Sequence, residues 1–299
     1  IYYTKGVATT CSSPIYENFI PTFDSTVVAL LKRSGAIIMG KTVTTQFACG
    51  DPPITKNPWN VAHTPGGSSS GSAVGVAARI FPAAVGSQTA GSVLRPASYN
   101  GIVGLKPTLG RISRYGVVPV SWSLDTMGTF TRTVRDAAIM LKAMTGHNPK
   151  HYSKSTRPSV NYATATGEVK FPPRIGLVKQ FYYETATCST INHTEGVVRH
   201  LVEKGAKVAE VTFPSDFNAI LSAHTVLMTS EAAFIHHKIF KERSPDYSPK
   251  VRSVIESGLR TLAVDYVQAK RLQRKFQVEV VEAMAGFDVL LCPTVASSA

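Results

Sequence analysis

The sequence predicts an α/β protein, and three observations carry that expectation. An amphipathic stretch followed at once by a short apolar run stands near the start of the chain, the same pairing returns past residue 190, and a glycine (Gly35, then Gly205) marks the joint each time. Helix–strand units repeated in this way build a sheet of parallel strands covered by helices.

In the first unit Val27, Val28, Leu30 and Leu31 fall on one helical stripe across Asp24 to Arg33. Asp24 or Ser25 is placed to cap its start and Gly35 to close its last turn. Ala36 to Met39 then reads as a strand ended by Gly40. The run PGGSSSGSAVG at Pro65 to Gly75 has no apolar period, so it predicts a loop that opens a helix over Ser72 to Ile80. Pro82 to Val85 follows as a buried strand leading into a second glycine–serine loop, Gly86 to Ser92. Beyond Thr133 the pattern predicts a helix at Val134 to Met144, a Ser/Thr/Pro-rich connector near Lys150 to Pro173 and a strand at Arg174 to Val178. The second helix–strand unit covers His193 to Lys204 and Lys207 to Val211. Long helices are expected at Phe217 to Phe240 and Leu262 to Met284. A late strand at Phe287 to Leu291, placed to rejoin the same sheet, favours one domain with a peripheral helical layer over two domains.

Composition excludes several classes. A chain of 299 residues with 43% hydrophobic content and mean hydropathy +0.03 can bury a large core. No stretch approaches the roughly 18 consecutive apolar residues of a membrane span, and IYYTKGVATT lacks a basic segment followed by an apolar run. The expectation is a soluble, cytoplasmic protein. Cys11, Cys49, Cys188 and Cys292 are scattered without CxxC or CxxH spacing, which argues against a structural zinc or a disulfide frame and for a reduced setting. The net charge of +13 invites an acidic partner. The basic residues are dispersed, however, apart from Lys270, Arg271, Arg274 and Lys275 in a helical pattern that reads as a solvated face, so nucleic acid is not expected. The eight histidines, His236 and His237 among them, show no HExxH spacing, and no metal or other cofactor is expected.

An alcohol needs a base within hydrogen-bond reach before it attacks at neutral pH, and the candidate nucleophiles are judged on that ground. GSSSG at Gly67 to Gly71 formally matches a nucleophile elbow with Ser69 at its tip, but NPWNVAHTPG before it is no apolar strand. No lysine stands three residues after a serine, which removes the S-x-x-K route. Cys11 in TTCSS lacks a recognisable partner. The more specific pattern is the loop pair: PGGSSSGSA at Pro65 to Ala73, GSQTAGSVLRPAS at Gly86 to Ser98 and GIVGLKPT at Gly101 to Thr108.

Together these runs resemble the amidase-signature family, in which the first serine after a double glycine follows a cis peptide bond and the nucleophile lies 24 residues further on. Ser68 and Ser92 stand at that spacing. DSTVVALLKRSGAIIMGKT at Asp24 to Thr42 and FDVLLCPT at Phe287 to Thr294 resemble flanking segments of the same enzymes, so the likeness spans nearly the whole chain.

The resemblance implies a central mixed β-sheet flanked by helices on both faces. It implies hydrolysis of a small-molecule carboxylic amide through an acyl-enzyme on Ser92, with Ser68 as proton relay and a neutral lysine as base. The backbone of Thr89, Ala90, Gly91 and Ser92 would receive the negative oxygen of the intermediate. Arg95 is assigned either to a substrate carboxylate or to bracing the loop through carbonyls, and Ser69 either to substrate contact or to satisfying backbone groups. The family's lysine is expected just upstream of Ile1, Lys5 and Lys41 being poor replacements. The expectation is therefore a single family domain over residues 1–299, truncated at both ends. Gln88 stands where many members carry Asp, and Ala90 where most carry Gly. The Gln form occurs among free-standing amidases, which weighs against the alternative of an A subunit of a glutamyl-tRNA amidotransferase. A catalytically inactive amidase-like protein is the other alternative.

Overall fold

The computed structural model describes residues 1–50, 52–146, 158, 160–167 and 172–299. Along the chain run α1 (Thr26–Arg33), α2 (Ser70–Ala77), β1 (Ala83–Gln88), α3 (Leu94–Tyr99), β2 (Val103–Leu105), β3 (Thr126–Thr131), α4 (Val134–Met144), α5 (Tyr162–Ala165), β4 (Arg174–Leu177), α6 (Tyr182–Thr185), α7 (Cys188–Glu203), β5 (Lys207–Glu210), α8 (Phe217–Arg243), α9 (Pro249–Leu259), α10 (Ala263–Ala283) and β6 (Val289–Leu291). The chain divides into two compact units. The first comprises Ile1–Gly167, Met228–Arg260 and Ala299, the second Glu168–Leu227 and Thr261–Ser298.

In the first unit β3 is the middle strand of a three-stranded antiparallel sheet, paired with β1 from Ala83↔Thr131 to Gln88↔Thr126 and with β2 on its other side. Side chains alternate faces along a strand, so Met127 and Phe130, three apart, point to opposite faces. Met127 joins Val27, Val28 and Leu31 of α1 and Leu141 and Met144 of α4, whereas Phe130 joins Ala73 and Val76 of α2 and Val93 and Ala97 beside and within α3. The sheet is thus covered by helices on both sides, and all six residues of β3 are buried.

Helix α1 starts where Ser25 Oγ accepts the Val28 N–H at 3.4 Å, carries Lys32 and Arg33 in the last turn where cations suit the helix dipole, and ends at Gly35 with φ +82°. In the second unit β4 is central and parallel to both β5 and β6. Val178, Val211, Phe213 and Phe217 form its buried cluster, with Phe276 and Val280 of α10 and Phe287 packed against it. Helix α8 passes from the second unit into the first at Leu227 and Met228.

The α/β class stands, with its strands distributed over these two sheets. Helix α4 occupies Val134–Met144 as expected, and the late strand β6 rejoins the sheet of β4. The expected strand at 36–39 is not formed: Ile38 packs on the core while Ile37 and Met39 are 84% and 77% exposed, so the run has one inward residue rather than a buried face. Strand β1 runs three residues further than expected, through Gly86, Ser87 and Gln88. Its ladder with β3 satisfies the backbone whatever the side chains, and a Cβ at Gly86 would lie 2.6 Å from the Phe130 ring and 2.8 Å from Ser69 Oγ. Strand β3 and helices α3 and α9 are not foreshadowed by the sequence pattern. Of the connector near 150–173, residues 150–157, 159 and 168–171 lie outside the described residues, and α5 falls in the described part. Among the described residues no helix is long and apolar enough to cross a membrane.

Candidate active site

The site is built in the first unit from two loops of small residues, 65–69 before α2 and 89–93 between β1 and α3. The first loop is held close to α3. Gly66 adopts φ +71°, and a Cβ there would lie 2.9 Å from the Tyr99 ring and 3.1 Å from Pro96 Cα, so only glycine lets the backbone approach. Asn100 Nδ2 donates to the Pro65 and Pro96 carbonyls at 2.8 and 2.7 Å, and Asn57 Nδ2 donates to those of Thr64 and Tyr99 at 3.2 and 3.0 Å. The Gly67–Ser68 peptide bond is cis. The Ser68 carbonyl accepts from Thr44 Oγ1 at 2.9 Å and from the Thr45 N–H at 3.2 Å.

The two loops are cross-braced on either side of Ser68. Arg95 donates from Nη2 (2.8 Å) and Nε (3.2 Å) to the Gly67 carbonyl. Ser69 Oγ accepts the Ser87 N–H at 3.3 Å and donates to the Ser87 carbonyl at 3.4 Å. Ser68 is therefore flanked by residues bonded to positions 95 and 87, and those two positions flank Ser92. Both serines are buried, at 4% and 9% exposure. The Ser68 hydroxyl is sealed from solvent and has no hydrogen-bond partner among the described residues. A buried hydroxyl left so is costly unless something completes it.

The second loop is clamped by its own glutamine. Gln88 Nε2 donates to the Ala90 carbonyl at 2.9 Å, while Oε1 accepts the N–H groups of Val93 and Leu94, each at 2.9 Å. The Arg95 N–H closes the next turn on the Gly91 carbonyl at 2.9 Å. Between these bonds, the N–H groups of Thr89, Ala90, Gly91 and Ser92 donate to no other described residue. The turn therefore presents consecutive unspent donors beside a buried serine. Thr89 Oγ1 donates to Asp125 Oδ1 at 2.6 Å.

Ser69 lies at the start of α2, with no strand before it and its hydroxyl spent on Ser87, so the nucleophile-elbow geometry is not present. Lys5 is exposed, and its N–H donates to Asp24. The Lys41 ammonium is bonded to the Tyr2 carbonyl and, at 2.6 Å, to Thr9 Oγ1, and burial pulls its pKa down to about 8. Neither lysine is bonded to Ser68. The Cys11 thiol is buried against the Thr9 carbonyl at 3.8 Å, and burial pushes its pKa up, which suits an inert thiol. No group of three His, Cys, Asp or Glu side chains among the described residues is placed to hold a metal ion.

Sequence reasoning picks out Ser68, Ser69, Ser92 and the turn 89–91, which fall in the cross-braced loops, and Arg95, which braces them from the first turn of α3. It misses Asp125, Asn57, Asn100, Thr44 and Thr45, and it marks Gln88 as a subgroup feature without its clamp. The one available signal for Asp125 is a carboxylate following Ser121, Trp122 and Ser123 directly before a strand, a pattern in which a side chain takes up loop N–H groups.

Fold and loops define the class: an α/β protein whose reactive-serine candidates come from a braced pair of glycine–serine loops rather than from a strand-turn-helix elbow. The Amidase family model matches residues 1–299, and the chain belongs to that family. The A subunit of the glutamyl-tRNA(Gln) amidotransferase from Geobacter sp. (strain M21) is 35% identical over 98% of this chain and 66% of its own length. A chain of known structure from a vestigial protein complex linked to the origins of an s-triazine catabolic enzyme superposes with TM-score 0.93 at 28% identity, over 99% of this chain and 65% of that one. The corresponding A subunit from Thermotoga maritima gives TM-score 0.86 at 34% identity, over 99% and 66%. This chain spans about two thirds of the length of the curated relatives it matches.

Proposed function

We propose that the protein hydrolyses a small carboxylic amide to the acid and ammonia or an amine, through an acyl-enzyme on Ser92. The observation that carries this reading is the pairing of an orphaned, buried Ser68 hydroxyl with a turn of unspent N–H groups at Ser92. A base draws the proton of Ser68, and Ser68 draws that of Ser92. The Ser92 oxygen bonds to the amide carbon, whose carbonyl oxygen takes up the negative charge. The C–N bond then breaks as the leaving amine takes a proton, and water opens the resulting ester by the same steps in reverse order. Donors from the turn of Thr89, Ala90, Gly91 and Ser92 stabilise the oxyanion, each such donor being worth about 2.7–4 kcal/mol in the barrier. Arg95 acts as a brace, since both donors of its fork meet the Gly67 carbonyl, and Ser69 satisfies backbone groups of β1.

The family description supports amide chemistry, and the names of the relatives favour one second reading, an amidotransferase A subunit working beside an ammonia-accepting partner. Residues 1–299 form one amidase-signature domain in this reading, and a cytoplasmic setting suits a chain whose four cysteines form no disulfide among the described residues. The test is labelling with a fluorophosphonate probe followed by peptide mapping. Modification of Ser92, lost in Ser92→Ala and strongly slowed in Ser68→Ala with little change in melting temperature, is expected. Label on Ser69 alone, or equal labelling in all three proteins, refutes the mechanism.

A further inference from the structure

The strands β1 and β3 part company at the active site, and the point of parting is closed by side chains. Their ladder ends at Gln88↔Thr126, so the next pair in register is Thr89 and Asp125. There the hydroxyl of Thr89 donates to Asp125 Oδ1 at 2.6 Å, while Asp125 Oδ2 accepts the N–H groups of Val120 at 2.8 Å and Ser121 at 3.1 Å. The carboxylate is 4% exposed. Burial raises its pKa, and its three donors and the charge of Arg114 pull the other way.

The loop that carries Asp125 is itself anchored. Glu231 of α8 accepts the Ser123 N–H at 2.8 Å, the Ser123 hydroxyl at 2.6 Å and the Ser121 hydroxyl. Arg114 Nη1 donates to the Trp122 carbonyl at 2.5 Å. Asp125 therefore holds Thr89 from a fixed platform. Gln88 holds the far end of the same turn through Val93 and Leu94, and the unspent N–H groups lie between the two clamps.

We propose that Asp125 is a positioning residue that sets the oxyanion turn by strapping the Thr89 hydroxyl to the 120–125 loop, a role that rests on the acyl-enzyme reading above. A negative carboxylate next to a developing oxyanion would oppose it electrostatically, so the strap acts through geometry and not through charge. Its donors already occupy the carboxylate, and its position beyond the ladder fixes the backbone where the first of the four turn N–H groups must point. Displacement of such a donor by about 1 Å costs on the order of a hundredfold in rate.

The test compares wild type, Thr89→Val and Thr89→Ser by the saturation kinetics of fluorophosphonate labelling at Ser92. Valine keeps the shape and removes the hydroxyl; serine keeps the hydroxyl. The strap predicts a maximal labelling rate about ten- to a hundredfold lower in Thr89→Val with the half-saturating probe concentration unchanged, and recovery to within about threefold of wild type in Thr89→Ser. A Thr89→Val protein that melts lower yet labels at the wild-type rate assigns the bond to stability alone and overturns the proposal. So does a Thr89→Ser protein no faster than Thr89→Val. If wild type is not labelled at Ser92, the acyl-enzyme reading falls first and the catalytic role of the strap with it.

Discussion

Replacing Gln88 with leucine keeps a side chain of similar volume and removes three hydrogen bonds of 2.9 Å at one stroke. The consequences differ for each partner. The Val93 N–H belongs to a residue with 0% exposure and would be left without an acceptor, at about 1–3 kcal/mol. Leu94 is half-buried and Ala90 exposed, so water recovers part of the remainder. The expected loss is about 2–4 kcal/mol, which for a chain of this size lowers the melting temperature by roughly 4–8 °C. Because the clamp spans the turn that carries Ser92, labelling at Ser92 should also slow by about tenfold at a temperature where the variant is fully folded. Thermal unfolding by circular dichroism together with the labelling rate reads both effects. A melting temperature within about 1 °C of wild type would show that the three bonds contribute nothing net, and an unchanged labelling rate would show that the turn keeps its shape without them.

Two further outcomes follow from the geometry. Arg95→Met, which removes the fork on the Gly67 carbonyl, should lower kcat about tenfold for amides of every kind and leave KM nearly unchanged; a KM rise confined to carboxylate-bearing amides would assign Arg95 to the substrate instead. His236, 4% exposed between the rings of Phe47 and Tyr247, has its pKa lowered to about 4 by burial. A depressed histidine pKa contributes stability that is present above the unfolded value near 6.5 and is lost as pH falls through about 4. His236→Gln should therefore flatten the stability–pH curve in that window by up to about 1.4 kcal/mol per pH unit, and an unchanged slope would refute the assignment.

The boundaries of α4 are legible because Ala137, Ala138, Leu141 and Met144 make an amphipathic stripe and Thr133 caps it. Ser68 and Ser92 are legible through a spacing of glycine and serine that no periodic element produces. Strand β3 is not, because Thr126–Thr131 alternates threonine, glycine and two large apolar residues, and only burial on both faces explains it. Asp125, Asn57 and Asn100 escape for another reason. Their work is a side-chain bond to Thr89, or to the carbonyls of Pro65, Thr64 and Tyr99, and contacts between residues distant along the chain leave no period to read. Gln88 is visible as an unusual residue, but its reach around a turn to Val93 and Leu94 is a property of the folded loop.

The bonds that brace the loops of Ser68 and Ser92 run between residues 44 and 125, within the first unit. Most of this bracing is therefore inherited with one short stretch of sequence, the exception being the 120–125 loop, which Glu231 of α8 anchors from outside it. Segments that make none of these bonds are thereby free to diverge in shape and chemistry without loosening the two braced loops.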